Sequence, residues 1–287
     1  MREFGVDEAG KGPVLGSMFA AAVVTDPAAL PEDVGDSKDI APERREELAA
    51  EIREVASAVG VAEIPVERID DDETDMNSLT VAAHAEALTA ALGSLDSLPR
   101  VPESDGTTGT DESTGTDEST ADSDGDALSG YVDAGDTNAV RFERRVADGV
   151  ADRVANVEDG LDAGVALDVR GEHGADETYP VVGAASIVAK VERDAHVDRF
   201  ATEYGAVGSG YPSDPTTREF LESYVAEHGA LPPCARATWK TSRDALAAAT
   251  QSSLGEFEPD GGRAENEGDA KADGGHAEPK PTTLDDF

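Results

Sequence analysis

Four carboxylates stand where hydrolytic chemistry could use them. Asp7 and Glu8 are adjacent and close an apolar run (EFGVD over residues 3–7) just before a turn that contains Gly10 and Gly12. Asp133 closes another short apolar stretch in GYVDAGD, and Asp176 lies in EHGADETYPVVGAAS, ahead of a helix expected from about Pro180. Acids at neighbouring strand ends and at a helix start can converge on one point although they are far apart in sequence. An all-oxygen donor set suits hard Mg²⁺ or Mn²⁺, whereas Zn²⁺ would ask for His or Cys, and neither clusters here. Two such ions about 3.5–4 Å apart clamp an in-line displacement at phosphorus, one activating water and the other stabilising the departing 3′ oxygen. Spacing alone does not single out these four, because the chain holds 62 Asp and Glu. Any of them could be a solvated face or a cap, and Asp136 in the same motif reads as a turn or helix N-cap residue.

The elements that would position these acids alternate along the chain. Residues 3–7 and 18–24 (MFAAAVV) read as strands joined by the glycine-rich turn DEAGKGPVLGS. Behind Pro42, Leu48, Ile52, Val55 and Val59 recur at helical spacing, with Pro in a favourable first-turn position. A third strand is expected over 60–66, an Ala-rich helix over 78–92, a short strand over 130–132 reaching Asp133, and a helix over 138–154. A strand over 164–169 and helices over 181–204, 215–227 and 239–249 complete the reading. The expectation is an α/β fold: a mixed sheet flanked by helices, with a helical C-terminal region.

Charge marks two segments off from this body. The chain carries 62 acidic against 23 basic residues, a net charge of -39. Residues 96–128 hold ten acids and one Arg, with the hexad TGTDES at 108–113 repeated at 114–119. Such a segment buries too little to offset its ordering entropy and reads as a disordered surface insertion. Residues 252–287 form a second acidic stretch, a tail behind a body of residues 1–251. The body remains strongly acidic without them, and Lys is scarce: Lys11, Lys38, Lys190, Lys240, Lys271 and Lys280 are all there are. An acidic, Lys-poor folded body points to a cytoplasm rich in salt. The single Cys234 forms no intrachain disulfide, and no apolar run approaches the roughly 20 residues of a membrane span. A monomeric, cytoplasmic protein is expected.

The ordered motifs resemble a known family. FGVDEAGKGPVLG is similar to the N-terminal signature of ribonuclease HII, the type 2 ribonucleases H. The likeness continues in order through DSK at 36–38, MNSL at 76–79, YVDAGDTNAVRF, ADETYPVVGAASIVAKVERD, GSGYPSDPTTREFL and WKT at 239–241. It spans residue 1 to about 245, interrupted by the acidic insertion. The resemblance implies a ribonuclease H fold and an endonuclease that cuts the RNA strand of RNA/DNA hybrids and duplex DNA on the 5′ side of embedded ribonucleotides. It implies two metal ions, with Asp7 bridging them, Glu8 and Asp133 completing the leaving-group site and Asp176 the nucleophile site.

The resemblance also implies substrate contacts. Gly10-Lys11-Gly12 is similar to the family's Gly-Arg-Gly turn, whose backbone N–H groups meet the ribonucleotide 2′-OH, the group that distinguishes RNA from DNA. Lys11 replaces the usual Arg, keeping the charge and losing the planar fork. Tyr211 resembles the Tyr that stacks near that sugar and helps read the ribo-to-deoxy junction, and this is favoured over the alternative of a partly buried aromatic in a Gly/Pro turn. Lys38, Lys190, Arg193, Arg236, Lys240 and Arg243 are candidate phosphate contacts. The terminal TTLDDF resembles a degenerate PCNA-interacting peptide in which Leu284 and Phe287 would fill the clamp's apolar pocket. Ribonuclease HIII is disfavoured because Asp7 lies so near the N-terminus and GPVLG fits type HII. The GKG turn lacks the spacing of a P-loop.

Overall fold

The computed structural model describes residues 1–36, 40–95, 127–156 and 166–255. Lys38, nearly all of the acidic segment 96–128, and the tail with Leu284 and Phe287 lie outside the described residues. Contacts divide the chain into Met1–Ala249 and Thr250–Phe287. The elements are β1 (Glu3–Ala9), β2 (Met18–Thr25), α1 (Pro42–Val55), β3 (Ala58–Ile64), α2 (Val66–Ile69), α3 (Met76–Gly93), β4 (Leu128–Asp133), α4 (Ala139–Asn156), β5 (Leu167–Glu172), α5 (Ala175–Thr178), α6 (Pro180–Tyr204), α7 (Pro215–His228) and α8 (Lys240–Gly255). No helix among the described residues is long and apolar enough to cross a membrane.

The strands form one sheet in the order β3-β2-β1-β4-β5. β2 pairs antiparallel with both β1 and β3, while β1–β4 and β4–β5 are parallel. This is the expected mixed sheet flanked by helices. The uninterrupted apolar run of β2 is buried along its whole length because both faces of the sheet are covered. On one face Phe4, Val6, Met18 and Ala20 pack against Leu79, Leu88, Phe142 and Val146 of α3 and α4. On the other, Ala21 and Val23 meet Leu48 and Ile52 of α1 and Ala184, Ile187 and Val188 of α6. A further cluster joins Val14 and Leu15 to Val197, Leu221, Val225 and Ala245, tying α6, α7 and α8 to the turn after β1.

Side-chain caps explain two of the helix starts. Asp75 caps α3 by accepting from the N–H groups of Asn77 and Ser78, and Asp214 caps α7 by accepting from Thr216. Several boundaries depart from the sequence expectation. The apolar spacing carries a helix on to Val59, but α1 ends at Val55 and Ala58 already opens β3. Val55 to Val59 mimics one more helical turn, yet AVGVAEI also alternates, and a full ladder from Met18↔Ile64 to Val24↔Ala58 decides for strand. The strand expected over 60–66 therefore starts two residues earlier, and Val66 opens α2. The strand expected over 164–169 is Leu167–Glu172, with 161–165 outside the described residues.

α6 crosses β1 at contact distance, and Gly5 is what permits it. A Cβ at Gly5 would lie 2.2 Å from the carbonyl carbon of Val181. Gly5→Ala is expected to lower stability by roughly 1–3 kcal/mol, as overpacking in a dense core does. A urea midpoint in molar KCl measures it, and an unchanged midpoint contradicts this account of the α6–β1 contact.

Candidate active site

Strand register brings the acids together. In β1, Gly5 and Asp7 face α6, and Glu8 faces α3. The parallel ladder pairs Gly5 with Tyr131 and Val6 with Val132, so Asp7 and Asp133, one step beyond, stand side by side at the same end of the sheet. The chain leaving β5 turns at Gly174, in the left-handed region with φ 68°, and enters α5. The N–H of Ala175 donates to Asp133 Oδ1 at 2.9 Å, which pins the first turn of α5, and Asp176 with it, against the end of β4.

Crowding like charges in a buried place is costly, and the ionisation of the acids records it. Burial, then the charge of Glu8, raises the Asp7 pKa well above its ordinary value. Asp133 is raised by burial, with the charges of Glu8 and Asp176 adding to it. Burial alone would raise Glu8 too, but a hydrogen bond from His84 Nε2 (2.7 Å), the charge of His84 and that of Lys11 hold it below the ordinary value. His84 is completely buried on α3, edge-on to Phe142. As they stand, no three His, Cys, Asp or Glu side chains among the described residues meet at one ion-sized point. Asp7 accepts from the N–H of Glu8 at 2.7 Å, Glu8 is drawn to His84, and Asp133 is held by Ala175. The donors are hard oxygens, suited in type to a divalent cation.

The glycine turn borders this cluster. Gly10 has φ 91°, a conformation that needs glycine. A Cβ on Gly12 would meet only the Tyr211 ring, at 3.7 Å, so Gly12 opens onto the gap between the turn and that ring. Lys11 does not extend outward: its Nζ donates to Gly135 O at 2.5 Å, bridging the turn to the loop after β4. Tyr211 is 39 % exposed, and the Arg193 guanidinium lies 4.8 Å above its ring. Glu8, Gly10, Gly12, Lys190, Arg193 and Tyr211 share a cleft of about 380 Å³.

Several sequence expectations are thereby placed. Asp7, Glu8, Asp133 and Asp176 lie at one end of the sheet, and Glu8, Gly10, Lys11, Gly12 and Tyr211 line one cleft. Among the phosphate-contact candidates, Lys190 and Arg193 line that cleft. Arg236 does not serve as one: it is 0 % exposed, because backbone carbonyls surround its guanidinium. Lys240 pairs with Asp244, and Arg243 donates to Thr238 O, so both are engaged at the start of α8. Asp136 is not the N-cap of α4; Asn138 Oδ1 accepts from the Arg141 N–H at 2.8 Å, while Asp136 is buried and held by the Arg141 guanidinium. The sequence reading missed His84 and Arg45. His84 could have been flagged as a lone polar ring inside an Ala-rich apolar helix. Arg45 lies three residues before Leu48 on the buried stripe of α1 and lines the same cleft.

The chain is similar to known proteins over most of its length. The family model described as Ribonuclease HII matches residues 4–123 and 126–242. A ribonuclease HII of Haloarcula marismortui is 59 % identical over 254 residues, covering 88 % of this chain and 99 % of that protein. The crystal structure of the ribonuclease H2 from Pyrococcus horikoshii superposes with a TM-score of 0.64 at 31 % identity, over 88 % of this chain and all of that one (100 %). A structure of the PCNA:RNase HII complex from Archaeoglobus fulgidus gives 0.62 at 32 % identity, over 85 % and 96 % of the two chains.

The raised carboxyls predict a pH dependence. A carboxyl whose pKa rises on folding binds its proton more tightly when folded. Its stabilising contribution is complete below the unfolded value near 3.8 and is lost as pH climbs through the raised one. In chelator and fixed molar KCl, Asp7→Asn is therefore expected to be more stable than the parent at pH 8, by roughly 1 kcal/mol or more, and less different at pH 4. Thermal or urea melts at both values measure this. A variant less stable than the parent at pH 8 contradicts the electrostatic account.

Proposed function

This chain belongs to the ribonuclease HII family, a family of nucleases, and from that premise we propose how its particular residues act. The proposed reaction is endonucleolytic hydrolysis of the RNA strand in RNA/DNA hybrids and incision on the 5′ side of ribonucleotides embedded in duplex DNA, leaving 3′-OH and 5′-phosphate ends. The observation that carries this reading is that Glu8, which lies among Asp7, Asp133 and Asp176 at the end of the sheet, also lines one cleft with the Gly10–Gly12 turn and Tyr211.

Asp7, Glu8, Asp133 and Asp176 are the residues that would hold Mg²⁺ or Mn²⁺, most simply as two ions. Asp7 would be shared, Glu8 and Asp133 would serve the leaving-group side, and Asp176 the water side. The fit rests on hard oxygen donors and on the crowded negative charge that lifts Asp7 and Asp133. When bound, such ions supply an activated water and charge neutralisation at the departing oxygen. The chain's own residues do the rest. His84 fixes the orientation of Glu8, a supporting contact of the kind whose loss costs about 10–100-fold in metal affinity or activity. Backbone N–H groups of the glycine turn would meet a 2′-oxygen, and the Tyr211 ring, contacted by Arg193, would offer a stacking face to the sugar. Lys190, Arg193 and Arg45 give the cleft positive charge for the phosphates. Lys38 and the acidic segment 96–128 are left outside this placement.

We further propose that the catalytic body, residues 1–251, acts as a cytoplasmic monomer in concentrated salt, and that the tail from 252 docks on a PCNA-type clamp through Leu284 and Phe287. Near 1 M salt the Debye length is about 3 Å, so the net charge of -39 no longer repels nucleic acid at a distance.

A DNA duplex with one ribonucleotide, incubated with Mg²⁺ or Mn²⁺ in molar KCl, tests the activity. The expected result is a single nick on the 5′ side of the ribonucleotide, lost in Asp7→Asn. No cleavage across a salt and metal screen overturns the reading. Removing the last six residues is expected to weaken binding to a cognate clamp on the order of tenfold or more, the effect of losing anchor residues. Unchanged binding by calorimetry removes the clamp proposal.

A further inference from the structure

Arg236 heads the fully buried side chains by volume, and nothing in the cleavage chemistry above uses it. Its guanidinium faces main chain rather than carboxylate. Nε donates to Gly16 O at 2.8 Å, Nη1 to Lys11 O at 3.0 Å and Nη2 to Gly10 O at 2.6 Å. The indole of Trp239 lies under it, 4.8 Å from the guanidinium carbon, and the Trp239 Nε1–H donates to Gly12 O at 3.3 Å. Burying a cation among neutral partners is costly, and a well-packed apolar side chain would avoid that cost. The return is local shape, because three of the four bonds end on Gly10, Lys11 and Gly12.

The geometry of the peptide unit says what shape results. In a trans peptide the C=O and the N–H point in opposite directions, and the chain contains no cis bond among the described residues. The carbonyl of Gly10 shares its plane with the N–H of Lys11, and the carbonyl of Lys11 with the N–H of Gly12. With both carbonyls drawn inward to one guanidinium, both N–H groups point away from it, and the turn that carries them lines the cleft together with Tyr211. The segment that carries Arg236 is itself fixed on the turn: Arg236 N donates to Val14 O at 2.8 Å, and Gly16 N to Cys234 O at 2.7 Å.

We propose that Arg236 is a positioning residue for the 2′-hydroxyl: it aims the Lys11 and Gly12 N–H groups and so sets the preference for a ribose over a deoxyribose at the cut. This rests on the ribonucleotide reading given above and names the part of the chain that enforces it. A single planar fork satisfies three carbonyls at fixed spacing, and a Lys ammonium cannot reproduce it.

The test compares binding of two duplexes identical but for one ribonucleotide, with Mg²⁺ in molar KCl and Asp7→Asn present throughout to prevent cutting. Fluorescence anisotropy reads both affinities, and urea melts confirm that each variant is folded. The background is expected to favour the ribonucleotide duplex, and adding Arg236→Lys to lower that ratio on the order of tenfold, the worth of two neutral hydrogen bonds, with all-deoxy binding little changed. Equal proportional losses on both duplexes, or an intact ratio, overturn the proposal alone. A background that prefers neither duplex overturns it together with the ribonucleotide reading. If Arg236→Lys does not fold, amide NMR of the Asp7→Asn protein decides: the Lys11 and Gly12 N–H signals, the two that the Arg236 bonds aim, are expected to shift on binding the ribonucleotide duplex and not the all-deoxy one. Signals that move alike with both duplexes, or with neither, overturn the proposal.

Discussion

The parallel pairing of β1 with β4 is the constraint on which the rest of the molecule depends. Its register carries Asp7 alongside Asp133 at the end of the sheet, where two carboxylates repel and water is largely excluded. The neighbourhood then reads as a set of partial compensations. Backbone N–H groups of Glu8 and Ala175 donate to Asp7 and Asp133, the His84 ring takes up Glu8, and the Lys11 ammonium sits close enough to lower Glu8 as well. None of these removes the excess of negative charge, which is the condition under which a divalent cation binds with the greatest gain.

Around that cluster the chain folds back on its own beginning. The stretch 234–239, far along the sequence, rests against residues 10–16 through backbone bonds, the Arg236 guanidinium and the Trp239 indole. Arg193, from the middle of α6, reaches Tyr211 on the loop before α7 and donates to the carbonyl of Ser209. The glycine turn and the tyrosine of the cleft are thus each held by an arginine, the turn by the buried Arg236 and the tyrosine loop by Arg193 within the cleft. Elsewhere Arg44 pairs with Asp33, Glu47 and Glu51, and Arg53 with Glu192, exposed contacts that salt screens and that contribute little. In so acidic a chain, the arginines that matter are those tied to backbone or to the cleft.

Much of this was legible in the residues. Asp7-Glu8 before GKG, Asp133 after GYV and Asp176 before YPVV each sit where an element ends, and element ends are what local patterning reveals best. What could not be read is set by contacts across the fold. Val59 repeats the helical spacing of α1, and only the ladder with β2 makes it strand. Arg236 looks like any basic residue near a charged helix, and its burial depends on carbonyls more than two hundred residues earlier. His84 meets Glu8 only because α3 lies across β1, and Asp136 is not the cap because α4 opens at Ala139, which leaves that position to Asn138.

The central claim is that these four acids are gathered to hold divalent cations. Crystals soaked in Mn²⁺ and measured at the manganese edge test it most directly. The account predicts anomalous peaks within coordination distance of Asp7, with Glu8, Asp133 and Asp176 as further ligands, two peaks about 3.5–4 Å apart if both ions bind. Peaks confined to other acidic side chains of the surface, with none at Asp7, would contradict it.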